Sequence, residues 1–495
     1  MKRFLLTLAL LTLAQSAVAQ QPNVPATLSL ADALKIARDH NPVYRQTMNN
    51  RGPAAWANRN AFANLLIPQV TAAGSLGYSG TGSQRFLTSN FSQTYATVSS
   101  SYSIGLDWTL SGSTLSAPGL RHAQLAAADA DIDGARATLE SGVTQQYLTV
   151  LQARDNVGVA QQLLARDQEF LRLAQARYTV GQATLIDVRQ AQVALGQAEV
   201  GLLRANTAQR VEKLRLFEQI GVSAPTAVDS VQLTDTFPVT APAWKLEDVL
   251  TMAEAQNPAL QALRARERSA AWGVRAATSG YGPTLSLSAG WSGFTQQFAK
   301  SGDLNAVVAS SAVAAGQEYN SCQENNTIRQ NSGLTPLDCS GFVWTASAEQ
   351  SLRNQNSIFP FNFIAQPFQA RLQVTLPLWS NFQQTQLVAQ SKADHQDLEE
   401  GVRARALGLQ TEVSLAYYTL QTAYTSVGIQ DTNRVLAREQ LQLATDRYRV
   451  GSGTFFELLD AQVTGLRAET EYISAVYDYH KAVAALEAAV GRPLR

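Results

Sequence analysis

The amino-acid sequence predicts a protein of mixed α and membrane β class, in which long coiled helices are joined to strands that span a membrane. Three observations predict this class: two helical patterns of roughly 60 residues each, four segments of alternating polarity, and an internal duplication. The chain has 495 residues, 45% of them hydrophobic and 16% charged, with 39 basic and 39 acidic residues. This balance gives no indication of nucleic-acid binding, and only two cysteines exclude a disulfide scaffold.

The N-terminus has the features of a secretory signal peptide over residues 1–19. Lys2 and Arg3 precede an apolar run, and Ala17-Val18-Ala19 forms a small-residue cleavage signal. Beyond residue 19, no run approaches the ~18 apolar residues that a transmembrane helix needs. The chain is therefore expected outside the cytoplasm, either as a soluble protein or as a membrane β-barrel.

Two parts of the chain resemble each other. The segment that ends at Asn41-Pro42 returns 216 residues later and ends at Asn257-Pro258, and the Arg-Tyr-x-Val-Gly segment at 177–181 returns 270 residues later. We infer a first repeat over 20–221, a linker over 222–243 and a second repeat over 244–495. The second repeat contains 54 extra residues, which lie between its two predicted strands.

Each repeat contains one helix too long for an ordinary domain core. The predicted long helices cover about 116–177 and 382–447, and their residues are rich in Ala, Leu, Gln, Glu and Arg. Helices of this length need a coiled-coil partner along their whole course. The summed length of two shorter helices in each repeat is close to the length of the long helix, so we expect the two to stack end to end beside it. These shorter helices are predicted at 43–66 and 183–219, and at 259–279 and 453–489.

Four segments alternate between apolar and polar residues with a period of two. They lie at about 69–80, 98–110, 284–295 and 368–379. Their length suits tilted membrane strands, although strands of a soluble sandwich give a similar pattern. Four strands cannot close a barrel, and an open sheet edge is not stable in lipid. The chain should therefore oligomerise, giving eight strands from two copies or twelve from three.

The signal peptide, the duplicated helix–strand–strand–helix unit, both Arg-Tyr-x-Val-Gly turns and the closing Leu486-Glu-x-x-x-Gly491 resemble the TolC family of outer-membrane efflux proteins. The resemblance extends from about residue 28 to residue 495. It implies a homotrimer with a TolC-like α-helical barrel in the periplasm and a 12-stranded outer-membrane β-barrel, to which each chain contributes four strands. It also implies a periplasmic adaptor and an inner-membrane pump as partners.

The resulting hypothesis is a passive exit duct of a tripartite efflux or type I secretion system in the cell outer membrane. The alternative is a non-conducting coiled-coil spacer that spans the periplasm and is anchored in the outer membrane or a surface layer. We find no catalytic motif, and the four histidines are scattered, so we expect no enzyme activity, no cofactor and no metal site. The transported substrate and the class of pump stay open.

The resemblance places the ends of the two helical hairpins, at 178–182 and 448–453, at the periplasmic tip. Val180, Gly181, Val450 and Gly451 are the expected adaptor-docking residues. A glycine at the end of a helix also serves as an ordinary C-cap, so these turns can equally be plain hairpin connections.

The resemblance also assigns a periplasmic gate. Glu457 and Asp460 lie three residues apart on one helical face, and three copies would form a ring of six carboxylates that favours cations. An ordinary solvated acidic face is the alternative reading. Asp187 and Tyr448 match residues that hold the closed state in the family. The usual tip arginine is replaced by Gly453, which leaves open whether Arg447 or Arg449 takes its place.

The extra residues of the second repeat form a predicted loop at 296–365, which a barrel with helices below it would place at the cell exterior. This loop contains both cysteines, Cys322 and Cys339, and a secreted chain with two cysteines in one loop suggests a disulfide. Two unpaired thiols are the alternative. The sequence does not decide whether the loop covers the pore, binds a surface layer or is a tolerated insertion.

Overall fold

A computed structural model describes residues 26–86, 89–93 and 95–494, so the predicted signal peptide at 1–19 lies outside the described residues. The described chain divides into two compact units. The first contains residues up to 58, then 119–274 and 389–494, and the second contains 59–118 and 275–388. Within the described ranges, no helix combines the length and the apolar character needed to cross a membrane.

The α-helices of the described chain are α1 (Leu30–His40), α2 (Pro42–Asn49), α3 (Arg51–Leu66), α4 (Gly112–Thr179), α5 (Leu185–Ile220), α6 (Leu246–Gln256), α7 (Pro258–Thr278), α8 (Ser301–Asn331), α9 (Ala346–Gln355), α10 (Gln383–Arg449) and α11 (Phe455–Val490). The strands are β1 (Thr27–Leu28), β2 (Gln69–Ser79), β3 (Gly82–Phe86), β4 (Ser89–Gln93), β5 (Thr97–Leu110), β6 (Gln232–Leu233), β7 (Thr284–Phe298), β8 (Ile364–Ala365) and β9 (Gln369–Thr375).

The first unit is helical, and shorter helices flank α4. Gln146 of α4 donates to the carbonyl of Glu212, near the end of α5, at 3.0 Å. Asp129 of α4 pairs with Arg51, at the start of α3, at 2.7 Å. The sequence predicted one helix over 43–66, but α2 and α3 are separate. Pro53 explains the break, because it lacks the N–H that would bond to the carbonyl of residue 49.

The two repeats make the same contacts at the ends of their last helices. Asn41 caps α2 and donates to the carbonyl of Gln219 at 2.8 Å, and Asn257 donates to Ala489 at the same distance. Beside these contacts, Gly491 adopts a left-handed φ of +90°. A Cβ at Gly491 would lie 2.8 Å from the carbonyl oxygen of residue 256, so only glycine permits this close packing.

Each repeat also has its own apolar core within the first unit. One core is formed by α1, α4 and α5 together with Tyr477 of α11, and its largest fully buried side chains are Tyr147 and Phe217. The other is formed by α6, α7, α10 and α11 around Leu409, Leu420 and Leu486. The predicted linker at 222–243 contributes to this packing, because β6 within it pairs in parallel with β1.

The second unit contains an antiparallel sheet in the order β2-β5-β7, with β8 and β9 both pairing with β7. The register places Leu106 opposite Val70 and Ala289, and Trp108 opposite Leu287. Apolar residues of neighbouring strands therefore share one face, and serine-rich positions share the other. A separate hairpin, β3–β4, lies between β2 and β5 in the chain.

Two predicted boundaries in the second unit were wrong. The strand predicted at 368–379 ends at Thr375, because Pro377 cannot donate to a sheet ladder. The predicted loop at 296–365 begins later, since β7 continues to Phe298, and it contains the helices α8 and α9. Ala and Gln residues favour helix in α8, and a comparison of repeat lengths gives no signal for this.

Candidate functional site at the hairpin tips

The two long helices end in the same type of turn. After α4, the N–H of Gln182 donates to Arg177 at 2.8 Å and that of Gly181 donates to Tyr178 at 3.0 Å. This pair of bonds is a Schellman motif, and it requires the left-handed φ of +76° that Gly181 adopts. After α10, Ser452 and Gly451 make the equivalent bonds, and Gly451 has a φ of +85°.

The helices that follow the turns begin differently. Thr184 and Asp187 form a complete capping box at the start of α5, in which the carboxylate of Asp187 accepts from the Thr184 N–H at 2.7 Å. At the start of α11, Thr454 accepts from the N–H of Glu457, but the Glu457 carboxylate pairs with Arg447 at 3.5 Å instead. The Asp187 carboxylate is therefore held within the cap of its own helix, and the Glu457 carboxylate is held by an arginine of the preceding helix, α10.

The absence of a side chain at Gly453 keeps this hairpin close. A Cβ at that position would lie 3.1 Å from the Cβ of Arg447 and 3.3 Å from the carboxylate of Glu457. Of the two arginines considered from the sequence, Arg447 reaches the carboxylate of Glu457. Arg449 pairs with Asp446 at 3.2 Å on its own helix.

The two tips pack against each other through a small apolar core, which we call the tip core. Its buried members are Phe170, Ala174, Val188 and Ala191 from the first hairpin, and Leu441, Tyr448, Phe455, Leu458 and Ala461 from the second. The edge of the Phe455 ring meets the Tyr448 ring at a centroid distance of 5.6 Å. Burial of these side chains holds the hairpins together at their ends.

Arg177 provides the main polar contact between the tips. Its guanidinium lies over the ring of Tyr448, 4.5 Å from the centroid, and donates through Nη1 to the Tyr448 carbonyl. A second bond, from Nη2 to the Gln182 carbonyl at 3.1 Å, fixes the side chain to its own turn. The tyrosines of the two repeated motifs differ in environment, because Tyr178 is 47% exposed and Tyr448 is 2% exposed.

Tyr448 and Asp187, which the resemblance assigns to links that hold the closed state, are not hydrogen-bonded to each other. Within the described chain, the buried hydroxyl of Tyr448 has no hydrogen-bond partner. Burial raises the pKa of Tyr448, and the negative charge of Asp187 raises it further, while Arg177 opposes this. The tyrosine therefore stays neutral, and it contributes to the tip through its ring and its carbonyl.

Glu457 and Asp460 are both exposed. Glu457 has the Arg447 partner, whereas Asp460 forms no hydrogen bond or ion pair with any described residue. Val180 and Val450 are also exposed beside their glycines. These residues are therefore accessible to solvent, ions or a second protein in a single chain.

Above the tip core, Asp167 of α4 is buried and accepts a hydrogen bond from Gln462 of α11. Burial raises the pKa of Asp167, and the bond from Gln462 lowers it only in part. The sequence analysis missed this pair and the role of Arg177. Arg177 was visible as the first residue of the repeated motif, but nothing in the motif distinguishes it from Arg447.

A groove of about 460 Å³ lies beside the tip core between α5 and α11. It is lined by Leu185, Ile186, Arg189, Gln190, Val193, Ala194, Gln197 and Leu459. Its lining is mostly apolar and open to solvent. The sequence analysis did not identify this groove, because its walls come from two different repeats.

The two cysteines belong to the second unit. Cys322 of α8 and Cys339 are joined by a disulfide with a Cα–Cα distance of 5.9 Å. Asn326 is buried beside them and is hydrogen-bonded to the backbone of Leu337 through both its amide nitrogen and its amide oxygen. The disulfide and these bonds fix the segment after α8 to the helix.

Comparison with known proteins gives a consistent result. The family model described as outer membrane efflux protein matches residues 46–222 and 342–492. The outer membrane protein VceC of Vibrio cholerae is 17% identical with a TM-score of 0.67, and the match covers 94% of this chain and 97% of that one. The MtrE outer membrane channel of Neisseria gonorrhoeae is 18% identical with a TM-score of 0.65, covering 96% and 95%. No curated protein sequence matches the chain.

Proposed function

Because the chain belongs to the outer membrane efflux protein family, we propose that it is the passive exit duct of a tripartite efflux or type I secretion system. Membership places it in the outer membrane, with a large helical part in the periplasm. The proposal adds three features: a homotrimer with a shared 12-stranded barrel, a gate at the hairpin tips, and docking of an adaptor and an inner-membrane pump.

The observation that carries the proposal is a pair of exposed apolar stripes with heptad spacing. On α10 the stripe consists of Leu415, Ile429, Leu436 and Leu443, and on α5 it consists of Ile186, Val193, Val200 and Leu214. A seven-residue repeat of apolar side chains is typical of a coiled-coil seam. Within one chain these seams face solvent, so they favour packing against further copies of the same helices.

The sheet of the second unit supports the same assembly. β2 and β9 are its outer strands and have no partner on their outer side among the described residues. Large apolar side chains such as Leu76, Trp291 and Leu372 are exposed on the sheet. An apolar sheet with two open edges can enter a membrane only if the edges pair, and three copies with four strand positions each would give twelve.

The tips are the proposed gate. Arg177, Tyr448 and the tip core join two hairpins, and these hairpins would have to separate for the duct to open. The solved structure of MtrE is described as an open state. In a trimer, the exposed Glu457 and Asp460 would each be present three times, and a ring of carboxylates favours cations. The exposed turns at Val180–Gly181 and Val450–Gly451 are the proposed adaptor surface.

For the insertion that contains α8, we propose an extracellular position. Because it would lie outside the barrel, deleting its centre should leave assembly intact. Cysteine-free variants should likewise assemble, and peptide mapping without reductant should recover the linked pair. Two freely alkylatable thiols in the mature protein would contradict the disulfide.

Assembly can be tested by replacing Leu436 and Leu443 together with glutamate. Burial of each leucine in a seam is worth about 1.5–3 kcal/mol, and a buried carboxylate adds a further penalty. Light scattering of the detergent-extracted protein should show a trimer for the natural sequence and monomers for the double variant. The matched control is Gln442→Glu, which adds a charge at an exposed position next to Leu443 and should remain trimeric. A folded monomer of the natural sequence in detergent would refute the proposal.

The alternative, a non-conducting spacer, shares the coiled-coil seams but not the lumen. Recording from the trimer in planar bilayers distinguishes the two functions. A duct should give steady single-channel conductance, whereas a spacer should give none.

A further inference from the structure

Outside the hairpin tips, one group among the described residues brings a histidine and two carboxylates together. Glu267 lies on α7, and His395 and Glu399 lie one turn apart on α10, with their ligand atoms within 4.8 Å of one another. We propose that these three side chains bind a divalent metal ion of the zinc type and that the ion joins α7 to α10.

The distances suit a shared ion. Nε2 of His395 lies 2.9 Å from a carboxylate oxygen of Glu267 and 3.8 Å from one of Glu399. In a tetrahedral zinc site the metal–ligand bonds are about 2.0–2.2 Å, which separates neighbouring ligand atoms by roughly 3.3 Å. The two observed distances lie on either side of this value, and all three ligand atoms lie within 4.8 Å of one another, so the site could form by side-chain rotation.

Hydrogen bonding explains only part of this arrangement. The contact of His395 with Glu267 has the length of a hydrogen bond, but the distance to Glu399 is too long for one. One nitrogen therefore faces two carboxylates and can bond to only one of them. With a neutral imidazole the group carries two negative charges, which a divalent cation neutralises and a protonated histidine offsets only in part.

The ligand types and their exposure indicate the class of metal. One imidazole and two carboxylates suit zinc and neighbouring transition metals, whereas magnesium and calcium prefer sites made only of oxygen ligands. Glu267 and His395 are half-buried between the helices, and Glu399 is exposed. An ion can therefore enter past Glu399, and three protein ligands leave a fourth position for water.

The test uses the full mature protein in detergent, stripped of metal with a chelator and titrated calorimetrically with zinc sulfate. We expect one strong site per chain and a rise in the unfolding temperature with added zinc, because the ion binds the folded state. His395→Gln should weaken zinc binding by at least about 10-fold, since loss of a ligand costs no less than loss of the bonds that support it. X-ray absorption at the zinc edge should show imidazole nitrogen and carboxylate oxygen at about 2.0 Å.

Two matched controls separate the site from general binding. His122→Gln removes an exposed histidine of α4. Glu400→Gln removes a carboxylate next to Glu399 in the chain; Glu400 pairs with Arg403 at 3.5 Å. Both variants should bind zinc like the natural sequence. Glu399→Gln retains the bond between His395 and Glu267, so it tests ligand loss without disturbing the helix contact.

Natural zinc affinity in both His395→Gln and Glu399→Gln would overturn the proposal, as would loss of binding in His122→Gln. The measurement needs neither conduction nor an adaptor. Its outcome is therefore independent of the proposed duct function.

Discussion

Replacing Arg177 with methionine should loosen the contact between the two hairpin tips. The change removes the guanidinium that lies 4.5 Å from the Tyr448 ring centroid and its bond to the Tyr448 carbonyl. Methionine retains much of the apolar length of arginine, so the packing of the stem against the tip core should change little.

The expected magnitude follows from these two contacts. A cation–π contact contributes about 0.5–2 kcal/mol, and a hydrogen bond to a charged group contributes about 1.5–3 kcal/mol. The Tyr448 carbonyl keeps a bond from the N–H of Gly451 at 3.2 Å, so it is not left unsatisfied. We therefore take the lower part of the range, about 2 kcal/mol, which corresponds to roughly a 30-fold shift toward separated tips in each chain.

Single-channel recording of the purified protein in planar bilayers measures this shift as the fraction of time spent at high conductance. The matched control is Arg447→Met at the equivalent position of the second turn. Arg447 pairs with Glu457 at 3.5 Å on the surface, and exposed ion pairs of this kind contribute about 0–1 kcal/mol. The reasoning fails if Arg177→Met conducts like the natural sequence, or if Arg447→Met opens the channel more.

Three further changes test the electrostatics of the tips. Tyr448→Phe should leave the unfolding temperature unchanged or raise it, because the hydroxyl is buried without a partner among the described residues. A clear fall in the unfolding temperature would show that the hydroxyl is hydrogen-bonded. Replacing Glu457 and Asp460 together with alanine should reduce cation selectivity and weaken block by multivalent cations, with natural selectivity as the contrary result. Asp167→Asn should raise the unfolding temperature at pH 7, since burial raises the pKa of this carboxyl and its charged form is costly. That gain should shrink as the pH falls toward 3.8, the ordinary pKa, and a gain that grows in acid would contradict it.

The sequence was informative where local pattern determines the structure. The long helices and the alternating strands follow from periodicity, and Gly181 and Gly451 lie at turns that need a left-handed residue. Pro53 and Pro377 are also local signals, because proline lacks the N–H that a helix or a sheet ladder needs at these positions.

The part of the site that was not predicted depends on tertiary contacts between the two repeats. Arg177 and Arg447 both begin an Arg-Tyr-x-Val-Gly motif, yet Arg177 contacts a tyrosine of the other hairpin and Arg447 pairs with a glutamate of its own. Tyr178 and Tyr448 likewise differ in burial only through their tertiary neighbours. The groove at Ile186 and the pairing of Asp167 with Gln462 also arise between repeats, where no periodicity within one segment gives a signal.

The difference between the two turns has a consequence for how the protein can evolve. If the two repeats were identical, each arginine would have to donate to the other hairpin and also form the ion pair within its own hairpin. Any change of that arginine would then alter both contacts at once. Because Arg177 makes the contact to the other hairpin and Arg447 makes the ion pair with Glu457, the two roles belong to different codons. Mutation can therefore adjust the strength of the contact between hairpins while Arg447 and Glu457 keep the internal contact of the second turn.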